Sequence, residues 1–171
     1  MIKKLLICIL LSLSIVGASE VPKDRLLGAV IFVESRYTAG IIKKDESAVG
    51  ILQIRPIMIE DVNRICRLLH VPRRYYLKDR LSVEKSIEIW YIVQQWYNPQ
   101  YDLTLACIVW NGRCYSGDGD QHYLALVKNN FYIGSYERYN TVLRKRPVDS
   151  LFIDPIRDNI WANKALYLVS R

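Results

Sequence analysis

Apolar side chains in this chain recur three and four residues apart in short runs, and each run is cut off by proline, glycine or asparagine. Residues at that spacing share one face of an α-helix, so the pattern predicts a mainly α chain of short helices with a small loop or hairpin insertion. The first helix is expected from about Lys23 to Arg36, with Leu27, Val30, Ile31 and Glu34 along one side. A loop from Tyr37 to Val49 follows, then Gly50 opens the segment ILQIRP. Pro56 suits the first turn of a second helix whose inner face is Met58, Val62, Ile65, Cys66 and Leu69, and Pro72 closes it. Ser82 is placed to cap a third helix running to about Tyr97, starting its inward side with Val83, Ile87 and Trp90. Asp102 can cap a fourth, LTLACIVW, which stops at Asn111-Gly112 and is apolar enough to be expected at the centre. The SGDGD stretch reads as a turn into a fifth helix, about Gln121 to Asn129, with Tyr123, Leu126 and Val127 inward.

The N-terminal segment, residues 1–18, stands apart. MIKKLLICILLSLSIVGA has a positive start at Lys3 and Lys4, an apolar run from Leu5 to Val16 and small residues at Gly17 and Ala18. This is the layout of a signal peptide cleaved after Ala18, and the run is shorter than the roughly 20 residues that span a bilayer. The expectation is an exported protein, periplasmic or extracellular, with no stable membrane span after cleavage. Residues 19–171 then form a single domain, with a core over about 23–130 and a C-terminal extension, 131–171, to which the pattern assigns no role. Without Lys3 and Lys4 the chain keeps 22 basic against 17 acidic side chains. That balance favours anionic surfaces, and export argues against nucleic acid as the partner. Cys66, Cys107 and Cys114 remain, an odd number that allows at most one internal disulfide. His70 and His122 lie far apart with no CxxC or HExxH setting, so neither a metal nor another cofactor is expected.

One acid interrupts the first apolar stripe. A carboxyl group that must give up a proton as an acid near neutral pH needs its pKa raised from about 4.3, and apolar surroundings do this by disfavouring the carboxylate. Glu34 beside Leu27, Val30 and Ile31 has such a setting in the sequence, while pairing with Arg36 or reaching into solvent is the plain structural alternative.

Three blocks, AVIFVESRY at 29–37, SAVGILQI at 47–54 and LTLACIVWNGR at 103–113, occur in this order. Together they resemble the lytic transglycosylase and goose-type lysozyme branch of the lysozyme-like superfamily. The resemblance implies a lysozyme-like fold with a substrate groove, and a peptidoglycan-cleaving enzyme acting on the MurNAc–GlcNAc β-1,4 bond with Glu34 as its catalytic acid. It implies substrate-binding roles for Ser35, Gln53, Trp110 and Asn111, and more loosely for Tyr123. Trp110 stands where many such enzymes have tyrosine; its ring can stack on a sugar and its ring nitrogen can donate, but it has no phenolic oxygen.

The transglycosylase reading needs one carboxyl and ends in a 1,6-anhydro-MurNAc product. A hydrolase would employ a second carboxylate, for which Asp45 and Glu46 are the candidates. A catalytically silent glycan-binding envelope protein is the rival from a different class. The expected partner is the peptidoglycan glycan strand, with an envelope protein as a further candidate through the basic tail at KRP, 145–147.

Overall fold

The computed structural model describes residues 23–42, 47–112 and 118–133, with side chains described in the last segment from 121 to 132. The N-terminal stretch expected to be a signal peptide, Asp45, Glu46, Cys114 and the chain beyond 133 lie outside the described residues. Within them the chain is mainly α, with five α-helices and one 3-10 helix: α1 Lys23–Ser35, α2 Pro56–Leu68, the 3-10 helix Leu77–Leu81, α3 Val83–Tyr97, α4 Leu103–Asn111 and α5 Asp118–Ile133. Between α1 and α2 two isolated antiparallel bridges, Ile42 to Val49 and Val49 to Ile54, fold residues 49–54 into a tight turn. Among the described residues no helix is long and apolar enough to cross a membrane.

Local chemistry sets the helix ends. Pro56 takes the first position of α2, where a missing N–H costs nothing. Its far end closes with His70 in the left-handed region at φ 54, the His70 N–H donating to the Arg67 carbonyl at 3.1 Å and the Val71 N–H to that of Cys66 at 2.9 Å. This explains a histidine that the sequence leaves without a chemical role. The Ser82 hydroxyl accepts from the Lys85 N–H at 3.3 Å at the start of α3, and Asp102 accepts from the Leu105 N–H at 2.7 Å at the start of α4. Gly112, at φ 63, ends α4 as a left-handed cap.

The central helix is α3, not α4 as its composition suggests. From Ile89 to Trp96 every side chain of α3 is buried, and the helix packs against α2, the 3-10 helix and α4. On α4, Leu105, Ile108 and Val109 are only half-buried. The buried amides at the end of α3 bond to each other and to the start of α4. Asn98 donates to Gln94 at 3.0 Å and to the Asp102 carbonyl at 2.8 Å, and Gln94 donates to the Ala106 carbonyl at 3.3 Å. Buried amides so paired fix the angle between α3 and α4, and with it the direction in which α4 ends.

Other faces depart from the sequence pattern in detail. Ile59 takes the buried place on α2 and Met58 is half-buried. The last helix begins at Asp118, inside the stretch read as a turn, and extends to Ile133. Leu126 faces outward, while Val127 and Phe131 are buried against α1. Tyr91 of α3 donates to Asp24 of α1 at 2.7 Å, tying α1 to the central helix.

Burial also decides the chemistry of Cys66. Loss of water raises its thiol pKa from 9.0 to about 11, against the opposing pull of Arg73 and Arg67. The native state therefore holds this proton at pH values where the unfolded chain has released it, so this group's contribution to stability falls as pH rises from about 9 to 11. Cys66 is expected to resist iodoacetamide at pH 8 in the folded protein and to react fully in denaturant, as read by peptide mass mapping; labelling at equal rates in both states would contradict its burial.

Candidate functional site

The last turn of α1 carries Glu34 to the edge of the core and then stops abruptly. Arg36 and Tyr37 follow in the left-handed region at φ 53 and 62. The Arg36 N–H donates to the Phe32 carbonyl at 3.0 Å, and the Tyr37 hydroxyl donates back to the Gly28 carbonyl at 2.9 Å. Those bonds fix the helix end, and so the position from which Glu34 projects. Arg36 lies over the Phe32 ring, 4.6 Å from guanidinium carbon to ring centroid. The Glu34 carboxylate meets α5 instead: the Tyr123 hydroxyl donates to Glu34 Oε1 at 2.8 Å.

Beside this pair opens a pocket of about 350 Å³. Its walls come from five places in the chain: Val33 and Glu34 of α1; Ala48, Gln53, Ile54 and Arg55 of the turn segment; Ile57 and Met58 of α2; Val109 to Gly112 at the end of α4; and Tyr123 of α5. Each of the three sequence blocks contributes to this one wall. That volume is within the usual range for small-ligand sites.

The turn that carries Gln53 is built by its own backbone. The Val49 and Ile54 N–H groups donate to each other's carbonyls at 3.2 and 2.9 Å, and Gln53 takes φ 49 at the corner. Its amide nitrogen donates to the Gly50 carbonyl at 2.7 Å and to that of Ile41 at 3.2 Å. This leaves Gln53 Oε1 buried and without a protein donor. An acceptor in that state favours a ligand or a water that brings an N–H or O–H. Two carbonyl partners for the nitrogen fix which end of the amide is which.

The structure gathers Glu34, Gln53, Trp110, Asn111 and Tyr123 around the pocket, but uses two candidate groups otherwise than the sequence suggests. Trp110 lines the wall, yet its ring nitrogen donates to the Leu52 carbonyl at 3.2 Å, so that N–H anchors the turn and the ring is 8% exposed. Ser35 is buried, and its hydroxyl donates to the Ile31 carbonyl one turn back at 3.2 Å, which is how serine in a helix commonly satisfies itself. Ser35 is not part of the pocket lining. Other aromatic residues lie away from the pocket: Tyr75, Trp96 and Tyr101 are core, and Tyr76 and Tyr97 are exposed. Comparison with protein-family models, with characterised proteins and with solved structures gives no match to this chain.

Arg55, Met58 and Val33 also line the pocket, although the sequence offers Met58 only as a core position and Arg55 only as the residue before the proline that starts α2. Glu34 is the one carboxylate among the described residues of the lining. Among the described residues no group of His, Cys, Asp and Glu side chains is placed to hold a metal ion.

Proposed function

We propose that this chain is an exported enzyme of lysozyme-like fold that cleaves the glycan strands of peptidoglycan at the MurNAc–GlcNAc β-1,4 bond, acting as a lytic transglycosylase with Glu34 as acid and then base. The observation that carries this reading is the convergence of the three sequence blocks on one pocket whose wall holds Glu34 against the Tyr123 hydroxyl. In the first step the Glu34 carboxyl gives its proton to the glycosidic oxygen as the bond to the MurNAc anomeric carbon breaks. In the second the Glu34 carboxylate takes the proton of the same sugar's 6-hydroxyl as that oxygen bonds to the anomeric carbon, which leaves a 1,6-anhydro ring and consumes no water. Tyr123 orients the carboxyl group, and Gln53 holds the turn that forms one wall of the pocket.

Incubation of purified sacculi with the mature protein tests the reading. Soluble muropeptides are expected; binding to sacculi without release would instead indicate a glycan-binding protein. The Tyr123→Phe variant keeps the ring and removes the hydroxyl that donates to Glu34. It is expected to fold normally and to release fragments about 10- to 150-fold more slowly, the range for losing a hydrogen bond to a charged group. A rate equal to wild type would remove Tyr123 from the mechanism.

A further inference from the structure

The Gln53 turn is held from outside by one side chain that does not touch the pocket. Arg80, in the 3-10 helix, donates from one terminal nitrogen to the Ser47 carbonyl at 2.8 Å and to the Ile54 carbonyl at 3.1 Å, so it grips both ends of the segment that carries Ala48 and Gln53. Its Nε donates to the Leu77 carbonyl at 2.9 Å, which fixes the guanidinium within its own helix. The Arg80 backbone is fixed as well. Its carbonyl accepts from the Ser86 hydroxyl on α3 at 3.0 Å and lies so close to Gly50 that a Cβ there would stand 1.9 Å from it. A continuous run of contacts thus joins the buried central helix, through Ser86 and Arg80, to the turn that presents Gln53.

Glu34 takes no part in these Arg80 contacts. It is positioned by the end of α1 and by Tyr123, on the other side of the pocket. We infer that Arg80 is a positioning residue that sets the orientation of the Gln53 turn and thereby the affinity of the pocket for its sugar ligand. The ligand class rests on the cleavage reading above; the grip of Arg80 on the turn does not.

The test compares mature wild type with Arg80→Ala and Arg80→Lys in two measurements. Amide hydrogen exchange at Val49, Gln53 and Ile54 is expected to run at least about tenfold faster in Arg80→Ala, with exchange in α1 and α3 unchanged, because two charge-assisted bonds to the turn are lost. In the release of muropeptides, KM is expected to rise about tenfold with kcat nearly kept, whereas a general loss of folded protein would lower apparent kcat and leave KM alone. Arg80→Lys keeps the charge and can reach one carbonyl, so it is expected to recover part of the KM, and it serves should Arg80→Ala fail to fold. Unchanged turn exchange, or a changed kcat at constant KM, overturns the inference. If wild type releases nothing from sacculi, the cleavage reading fails and turn exchange alone decides whether Arg80 holds the turn.

Discussion

Alanine at position 50 is expected to cost about 3 kcal/mol or more of stability. Gly50 sits at φ 79, where a Cβ strains the backbone by about 1 kcal/mol. The added carbon would also lie 1.9 Å from the Arg80 carbonyl oxygen and 3.0 Å from its carbonyl carbon. Both are backbone atoms of a helix anchored on α3, so neither can rotate aside; the turn and the 3-10 helix must separate, which breaks the Arg80 bonds to Ser47 and Ile54. Gly112 supplies the control. It also has positive φ, at 63, but a Cβ there meets nothing within 4 Å, so Gly112→Ala is expected to cost only about 1 kcal/mol. Urea unfolding of the two variants separates contact from backbone strain, and equal losses would mean that the approach of Arg80 to Gly50 contributes nothing.

The largest effect on activity is expected from Glu34→Gln. A positioned proton donor contributes about 10²- to 10⁴-fold to a rate, and in the proposed cycle Glu34 serves both halves, so release from sacculi is expected to fall by at least about 10³-fold. Glutamine has the same shape, and its amide oxygen can still accept from the Tyr123 hydroxyl in place of the bond at 2.8 Å. The variant is therefore expected to unfold within about 1 kcal/mol of wild type. A dead variant that is also unstable would say nothing about proton transfer; a stable variant with undiminished release would show that the proton comes from elsewhere.

The helices were legible because their signals are local. Pro56, Ser82, Asp102 and Gly112 each act within one turn of the chain, and each stands at the helix end its chemistry favours. Which helix lies at the centre was not legible. The more apolar α4 looks central by composition, but α3 takes that place because Gln94, Gln95 and Asn98 pair their amides inside the core and so count as interior residues. The early start of α5 was hidden for a related reason, since Gly and Asp favour turns locally.

Glu34, Gln53 and Asn111 were singled out from pattern and resemblance, and the structure places all three in the lining of one pocket. Side-chain bonding could not be read in advance. Nothing in the string ESRY tells that the Ser35 hydroxyl turns back on its own helix, or that the Trp110 ring nitrogen is taken by a carbonyl 58 residues away in sequence. Arg80 illustrates the same limit: its three carbonyl partners carry no side-chain signature, so a residue gripping two ends of a turn looks in sequence like any surface arginine.

The most direct test of the account is mass spectrometry of the fragments that mature protein and its Glu34→Gln variant release from purified sacculi. The account predicts wild-type fragments about 18 Da lighter than hydrolysis products, the mass of the water that closure of a 1,6-anhydro ring leaves out, and none from the variant. Full-mass reducing ends would contradict transglycosylation and turn attention to Asp45 and Glu46, and release by the variant at the wild-type rate would contradict the role of Glu34 itself.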